Sequence, residues 1–246
     1  MAKYIILDTE TTGTDELDRV IQLGYMVLGA KDIEVHNEFC SCDVEIKYPA
    51  MEVHGITPEM LEGMPQCVDT TAYKRLLELN TPENYMIIHN APFDIGMLQK
   101  EGFDLQMQLI DTLRVAKHIF DDEEAHRLQY FRYKMGLYKE EQQEADKLGI
   151  EVKAHDAIGD VLVLKLFLTK LREAVQAKFP SENPVEKMVA LTKEPILVKT
   201  FRFGKYRNKT LQEVAAQDPG YMRWMLTGME NLDEDMRYSI NHYLGV

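Results

Sequence analysis

The sequence predicts an α/β layered core followed by a small α+β module. Three observations carry that expectation. Three strand-like segments fall within the first 42 residues, helical and strand periods alternate from residue 72 onward, and a proline-rich break at 179–184 precedes a change to basic composition.

Tyr4–Leu7 reads as a short apolar strand. Val20–Leu28 and Glu34–Cys42 read as two more, joined by the turn Gly29-Ala30-Lys31-Asp32, so the chain opens with a three-stranded meander. Ala72–Leu79 has a helical period, Tyr85–His89 is a buried strand, and Ala91–Glu101 is a helix ended by Gly102. Leu109–Thr112 is a strand end running into a helix through Phe120. From Ala157, the residues Val161, Leu164, Leu168 and Leu171 recur at helical spacing, which predicts a long amphipathic helix to about Phe179.

Phe179-Pro180-Ser181-Glu182-Asn183-Pro184 breaks that period and marks a boundary. A short helix over Val185–Leu191, with Asn183 as N-cap and Pro184 in its first turn, bridges to a basic strand-like stretch beginning at Ile196. A helix over about Leu211–Ala216, the turn Asp218-Pro219-Gly220 and two further helical stretches complete the chain. The expected organisation is a core domain over 1–179, a linker over 180–195 and a module over 196–246. Tyr221 and Trp224, on a short helix, are expected in the core of that module.

With 246 residues and 45% hydrophobic content, the chain has the means to build a sizeable core. No apolar run approaches the roughly 18 residues of a membrane span, and Met1-Ala2-Lys3-Tyr4 enters a strand without an apolar leader. A cytoplasmic protein with no membrane partner is expected. Three cysteines, with Cys40 and Cys42 in a Cys-x-Cys pattern, provide neither a disulfide framework nor a structural zinc site. The net charge of −13 opposes a phosphate-rich partner on average, yet Lys199, Arg202, Lys205, Arg207 and Lys209 form a local strip without an acid.

The chemistry lies in four carboxylates and one histidine. Asp8 and Glu10 stand two apart at a strand end, so both side chains leave the same face. Asp94 follows the buried strand in Asn90-Ala91-Pro92-Phe93-Asp94, and His155 precedes Asp160 by five positions at the start of the long helix. Singly, each has a plainer reading. Asp8 and Glu10 suit a turn, Asp94 suits a helix N-terminus, and a lone histidine is more often structural. Together, converging carboxylates need divalent cations, and hard oxygen donors select Mg²⁺ or Mn²⁺ over zinc.

In this order, Asp-x-Glu, Asn-x-x-Phe-Asp and His-x-Ala-x-x-Asp resemble the DnaQ-like family of 3′-5′ exonucleases, over residues 4 to about 175. The segment His54-Gly55-Ile56-Thr57 also looks like a family segment. A histidine five before the last aspartate resembles the DEDDh branch, since the position four before it is Asp156 rather than tyrosine. Phe201-Arg202-Phe203-Gly204-Lys205-Tyr206-Arg207-Asn208-Lys209-Thr210 and Asp218-Pro219-Gly220-Tyr221-Met222-Arg223-Trp224 resemble the exodeoxyribonuclease X-like C-terminal domain. Asn208 stands where that resemblance leads one to expect glycine, and asparagine is the next best residue for positive φ.

The resemblance implies a ribonuclease H-like mixed sheet flanked by helices and a two-metal-ion exonuclease acting on 3′ ends of DNA, single-stranded or duplex. Asp8, Glu10, Asp94 and Asp160 are the implied ligands of two Mg²⁺ ions, with Mn²⁺ as a substitute, and His155 is the implied general base. Cleavage would release nucleoside 5′-monophosphates, in DNA repair or nucleic-acid turnover. Thr11 is a candidate contact to the terminal 3′-hydroxyl, and Asn90 and Phe93 would shape the pocket. In the C-terminal module Lys205, Tyr206, Arg207 and Lys209 are candidate nucleic-acid contacts, the alternative being a solvated edge strand. RNA or short oligoribonucleotides as substrate, and a binding protein on an inactive nuclease fold, are the other readings.

Overall fold

The computed structural model describes residues 2–30, 32–150 and 156–246. The chain divides into two units, Met1–Thr192 and Lys193–Val246.

In the first unit the elements follow one another as β1 (Tyr4–Thr11), β2 (Val20–Leu28), β3 (Ile33–Phe39), α1 (Tyr48–His54), α2 (Thr71–Leu79) and β4 (Tyr85–Ile88). Next come α3 (Ala91–Lys100), β5 (Gln108–Asp111), α4 (Thr112–Ile119), α5 (Leu128–Lys134), α6 (Glu141–Leu148), α7 (Ala157–Lys178) and α8 (Pro184–Lys193). The five strands form one mixed sheet in the order β3-β2-β1-β4-β5. β1 runs antiparallel to β2 and β2 to β3, whereas β4 is parallel to both β1 and β5. The opening meander and the ribonuclease H-like mixed sheet are therefore present as expected.

Period two along β1 sorts its side chains onto two faces. Ile5 and Leu7 join a buried cluster with Tyr73 and Leu76 of α2 and Met97 and Leu98 of α3. Ile6 faces the other way, into a cluster with Ile87 and Ile110 and with Val161, Leu164, Phe167 and Leu171 of α7. Asp8 and Glu10 continue the Ile6 series, so they lie on the face that α7 covers. Thr9, between them, points toward the α2/α3 side. The strand also continues through both acids to Thr11 rather than ending before them.

Several elements differ from their expected form. α1, which the sequence pattern did not announce, has Pro49 in its first turn and ends on His54, where Gly55, whose φ of 69° only glycine adopts readily, stops it. The stretch 180–195, read as a linker bridged by a short helix, does hold that helix as α8, but its Met188 and Leu191 are buried in the core with residues of α7. Asn183 Oδ1 accepts from the backbone of Val185 at 2.9 Å, the capping role expected of it. Among the described residues no helix is long and apolar enough to cross a membrane.

The second unit holds α9 (Leu211–Gln217), α10 (Pro219–Gly228) and α11 (Glu234–Leu244) around Phe201, Leu211, Val214, Met222, Met225, Met236 and Ile240. The basic stretch was expected as a strand of an α+β module. Its described residues instead make a single bridge, Thr200 to Thr210, around a tight loop. The reason is local: Gly204 (φ 70°) and Asn208 (φ 70°) both turn left-handed, which breaks any run of extended residues between them. Asn208 thus adopts the positive φ expected of it. Asp218 does not sit in a free turn but caps α10, accepting from Tyr221 N at 3.1 Å, with Pro219 as the first helical residue.

Candidate active site

The β1–β2 register sets Asp8 opposite Gly24 and Glu10 opposite Gln22. Directly opposed residues in an antiparallel pair share a face, so Gly24 and Gln22 both look toward α7. At Gly24 the helix comes down onto bare backbone: a β-carbon there would lie 2.8 Å from Ala157 Cβ and 2.9 Å from the Ile158 nitrogen. At Gln22 the side chain reaches the helix start. Its amide nitrogen donates to Asp156 and to Asn37 Oδ1 at 2.9 Å, while its oxygen accepts from Ala157 N at 3.4 Å.

With the first turn of α7 seated in this way, Asp160 meets the two acids of β1. One carboxylate oxygen from each of Asp8, Glu10 and Asp160 lies within 4.8 Å of the other two, and all three residues are half-buried. Gln129 on α5 donates to Asp160 Oδ1 at 2.9 Å and helps fix that carboxylate. Among the described residues no lysine or arginine is paired with Asp8 or Glu10. The set has the donors of a divalent-cation site.

Asp94 arrives from the opposite side of β1. It sits in the first turn of α3, buried, and its Oδ1 accepts both the Thr9 backbone N–H at 3.0 Å and the Thr9 hydroxyl at 2.8 Å. It is not one of the three closest donors, but its charge acts on them.

Burial raises the Asp8 carboxyl well above the usual range, and the charges of Asp94, Asp160, Glu10 and Asp156 push in the same direction. Glu10 rises to about 8, chiefly by burial and then by Asp160, Asp94 and Asp156. Asp94 rises to about 7 through burial, the two Thr9 hydrogen bonds pulling it partly back. Carboxylates crowded against one another in a buried site hold protons into the neutral range, and a cation is what releases them.

The other expected residues fall as follows. Thr11 is buried, its hydroxyl donates to Gly13 O at 2.7 Å, and its carbonyl meets His54 Nε2 at 3.2 Å. His54 Nδ1 accepts from Ile56 N at 3.0 Å, so the neutral ring carries its proton on Nε2 and donates it to Thr11. Burial lowers the His54 pKa, in keeping with that form. Asn90 (φ 78°) is exposed at the start of α3, and its N–H donates to Asp111 Oδ1 at 3.2 Å. Phe93 is half-buried against the α2/α3 cluster. His155 lies outside the described residues.

In the second unit Lys205 Nζ and the Tyr206 hydroxyl both reach Asp218 Oδ2, at 3.2 and 2.7 Å. Arg207 and Lys209 are exposed on the same loop. Trp224, expected in the core, is 53% exposed. Gly24, Thr9, Gln22 and Gln129 were not singled out from sequence. Only the strand period bears a trace of the first three, carried from Asp8 and Glu10 to their register partners Gly24 and Gln22 and setting Thr9 on the opposite face.

A sequence model described as "Exonuclease" matches residues 5–167, and one described as "Exodeoxyribonuclease X-like C-terminal" matches residues 201–228. The chain is 27% identical to Exodeoxyribonuclease 10 of Escherichia coli (strain K12) over 244 residues, which covers 97% of each protein. It is 31% identical over 134 residues to the DNA polymerase III subunit epsilon of Haemophilus influenzae, covering 48% of this chain and 51% of that one. Among solved structures, exonuclease X in complex with 5′-overhanging duplex DNA superposes with a TM-score of 0.54 at 17% identity, over 77% of this chain and 99% of that one. The zinc-bound exonuclease I–single-stranded DNA complex of E. coli superposes with a TM-score of 0.53 at 19% identity, over 76% and 42%. Both likenesses are of fold.

Proposed function

The chain belongs to the exonuclease family, and from that membership we propose that it is a 3′-5′ exodeoxyribonuclease that removes nucleoside 5′-monophosphates from DNA ends. The observation that carries this reading is the convergence of Asp8, Glu10 and Asp160 to within 4.8 Å. The near-full-length likeness to Exodeoxyribonuclease 10 supports DNA as the substrate.

The donor set fits hard divalent cations. Three gathered carboxylates, two of which hold protons abnormally tightly, favour Mg²⁺ or Mn²⁺ over zinc. Asp8, Glu10 and Asp160 would hold one ion, Asp8 would extend to a second, and Asp94 would complete the set. Bound there, the cations would supply positive charge to the scissile phosphate and make the attacking water more acidic.

The protein's own residues do the rest. Gln129 and the seat on Gly24 orient Asp160, and Thr9 orients Asp94. His155 would take the proton from the attacking water, a task suited to an imidazole titrating near neutrality. Thr11, held by His54 and Gly13, would contact the terminal 3′-hydroxyl, and Asn90 and Phe93 would border the terminal nucleotide. Lys205, Tyr206, Arg207 and Lys209 would contact the DNA elsewhere along the strand. The cytoplasmic address expected from the sequence suits such an enzyme.

The test uses DNA and RNA labelled at either end, single- and double-stranded, incubated with Mg²⁺, Mn²⁺ or EDTA and resolved to single nucleotides. The reading predicts a mononucleotide ladder shrinking from the 3′ end of DNA, absent in EDTA. Preferential RNA decay would move the substrate to RNA, and no decay of either would leave only a binding role.

A further inference from the structure

Trp224 is the only tryptophan of the chain. Its neighbours on α10, Met222 and Met225, are fully buried, yet 53% of Trp224 faces solvent. The exposed ring is nevertheless held in place. One turn further on, a β-carbon at Gly228 would lie 2.7 Å from the indole Nε1 and 3.1 Å from Cδ1, so the ring rests on backbone that only glycine leaves open. Tyr221 flanks it at 5.8 Å between centroids and 35° between planes.

Tyr221 is fixed in turn. Tyr206 meets it edge-on at 5.0 Å and Phe201 at 6.3 Å, and the Tyr206 hydroxyl is anchored on Asp218. A β-carbon on Gly204 would come 2.7 Å from the Tyr221 hydroxyl, so the loop bearing Phe203 packs against the same ring. Phe203 is itself 39% exposed. Two aromatic side chains thus stand in solvent, Trp224 beside Tyr221 and Phe203 on the loop whose Gly204 touches the same tyrosine. Rigid rings lose little conformational freedom when something stacks on them.

Charge surrounds these rings. Lys205 Nζ lies 4.7 Å from the Tyr206 centroid and 6.0 Å from that of Tyr221. Arg202, Arg207 and Lys209 are exposed on the same loop, and Arg223 is exposed beside Trp224. The nearby acids are committed: Asp218 to Lys205 and Tyr206, and Glu213 to the Thr210 capping box. Residues 193–246 carry eight lysines and arginines against seven aspartates and glutamates, a net of +1, while the remainder of the chain carries 20 against 34, a net of −14. The aromatic surface sits in the part of the chain that does not repel a phosphate backbone.

We propose that Trp224 and Phe203, with Arg202, Lys205, Arg207 and Arg223, form a stacking site for single-stranded DNA on the second unit. The choice of DNA rests on the proposed nuclease function. Stacking on indole and phenyl faces is indifferent to base identity, which suits a protein that must accept any sequence.

Because Trp224 is the sole tryptophan, its emission reports the site directly in the full-length chain. Oligodeoxythymidylate titrated into the protein in EDTA, where no hydrolysis occurs, should quench that emission saturably. An abasic oligomer of equal charge should not. Trp224→Ala should weaken binding of a fluorescein-labelled oligomer by about 5- to 100-fold in anisotropy, the loss of one base–aromatic stack. Trp224→Phe, which keeps an aromatic face and guards against a folding defect, should fall between the two.

Absence of quenching, or equal affinity of Trp224→Ala and wild type, overturns the site. So does an emission shift that follows protein concentration without DNA, which would assign the face to a second copy of the chain. Hydrolysis of the same oligomer by wild type in Mg²⁺, followed in parallel, separates the two readings. Degradation without quenching removes only the stacking site, and quenching without degradation removes the nuclease function while the binding site stands.

Discussion

Gly24 and Ala157 touch at the point where the long helix meets the strand that carries the acids. Gly24 stands opposite Asp8 in the register, and a β-carbon on it would come within 2.8 Å of Ala157 Cβ. Bare backbone on β2 therefore sets the height of α7 above the sheet, and with it the reach of Asp160 to Asp8. Gly24→Ala should overpack this contact at a cost of about 1–3 kcal/mol. Because a shift near 1 Å at reacting groups is expensive, kcat/KM should fall by roughly 100-fold. Steady-state hydrolysis and a thermal melt of the same sample check this. Unchanged turnover would separate the helix seat from catalysis.

The carboxylate cluster makes the metal-free protein sensitive to pH. Glu10, raised to about 8, and Asp94, raised to about 7, keep protons in the folded state that the unfolded chain has released. The stability tied to those protons is complete below the ordinary carboxylate range and is lost as pH climbs through the raised values. His54 and His89 are held low by burial and work in the opposite direction, but only below their ordinary value of 6.5. In EDTA, Tm should thus decline between about pH 6.5 and 8.5. Added Mg²⁺ should recover it most at the alkaline end. Calorimetry showing a flat or rising Tm in EDTA would contradict the cluster's electrostatics.

Thr9 supports Asp94 with both its backbone N–H and its hydroxyl. Thr9→Val keeps the β-branched shape and removes only the hydroxyl, a loss of about 1–2 kcal/mol in a bond to a charged acceptor. Half-saturation of activity should then need roughly 10-fold more Mg²⁺, Tm should fall by a few degrees, and Thr9→Ser should restore both. Equal Mg²⁺ dependence in all three proteins would show that Asp94 does not depend on this bond.

Asp111 joins two helix starts. Its carboxylate accepts from Leu113 N and Arg114 N at the head of α4 and from Asn90 N and Ala91 N at the head of α3, the helix that carries Asp94. Asp111→Ala strands four buried or half-buried donors and should cost about 2–4 kcal/mol in a urea melt. A change under about 0.5 kcal/mol would mean that the backbone at both helix starts finds other partners.

The strand of Asp8 and Glu10, the helix of Asp160 and the first turn holding Asp94 were all legible because each depends on periodicity or capping within a short window. The partners of those residues were not. Nothing local to Gly24 announces that a helix 133 positions later will rest on it, and the Thr9–Asp94 bond spans 85 residues. The C-terminal loop was read as a strand because its alternation of aromatic and basic residues outweighed two positions that turn left-handed, Gly204 and Asn208. Trp224 was read as core because size and apolarity favour burial on average, and Gly228, which gives the indole its external seat, lies a full turn away.

If Asp8, Glu10 and Asp160 share divalent cations with which this protein cuts DNA from its 3′ end, metal binding and hydrolysis must stand or fall together. Mn²⁺ titration calorimetry of wild type and Asp8→Asn, paired with single-nucleotide-resolution hydrolysis by the same preparations, measures both. Asp8→Asn should remain folded, with a metal-free Tm at or above that of wild type because a buried acid that costs energy to ionise among its neighbours is gone, yet lose Mn²⁺ binding and hydrolysis together. A folded Asp8→Asn protein that still binds Mn²⁺ like wild type, or still shortens DNA, would refute the shared-cation site.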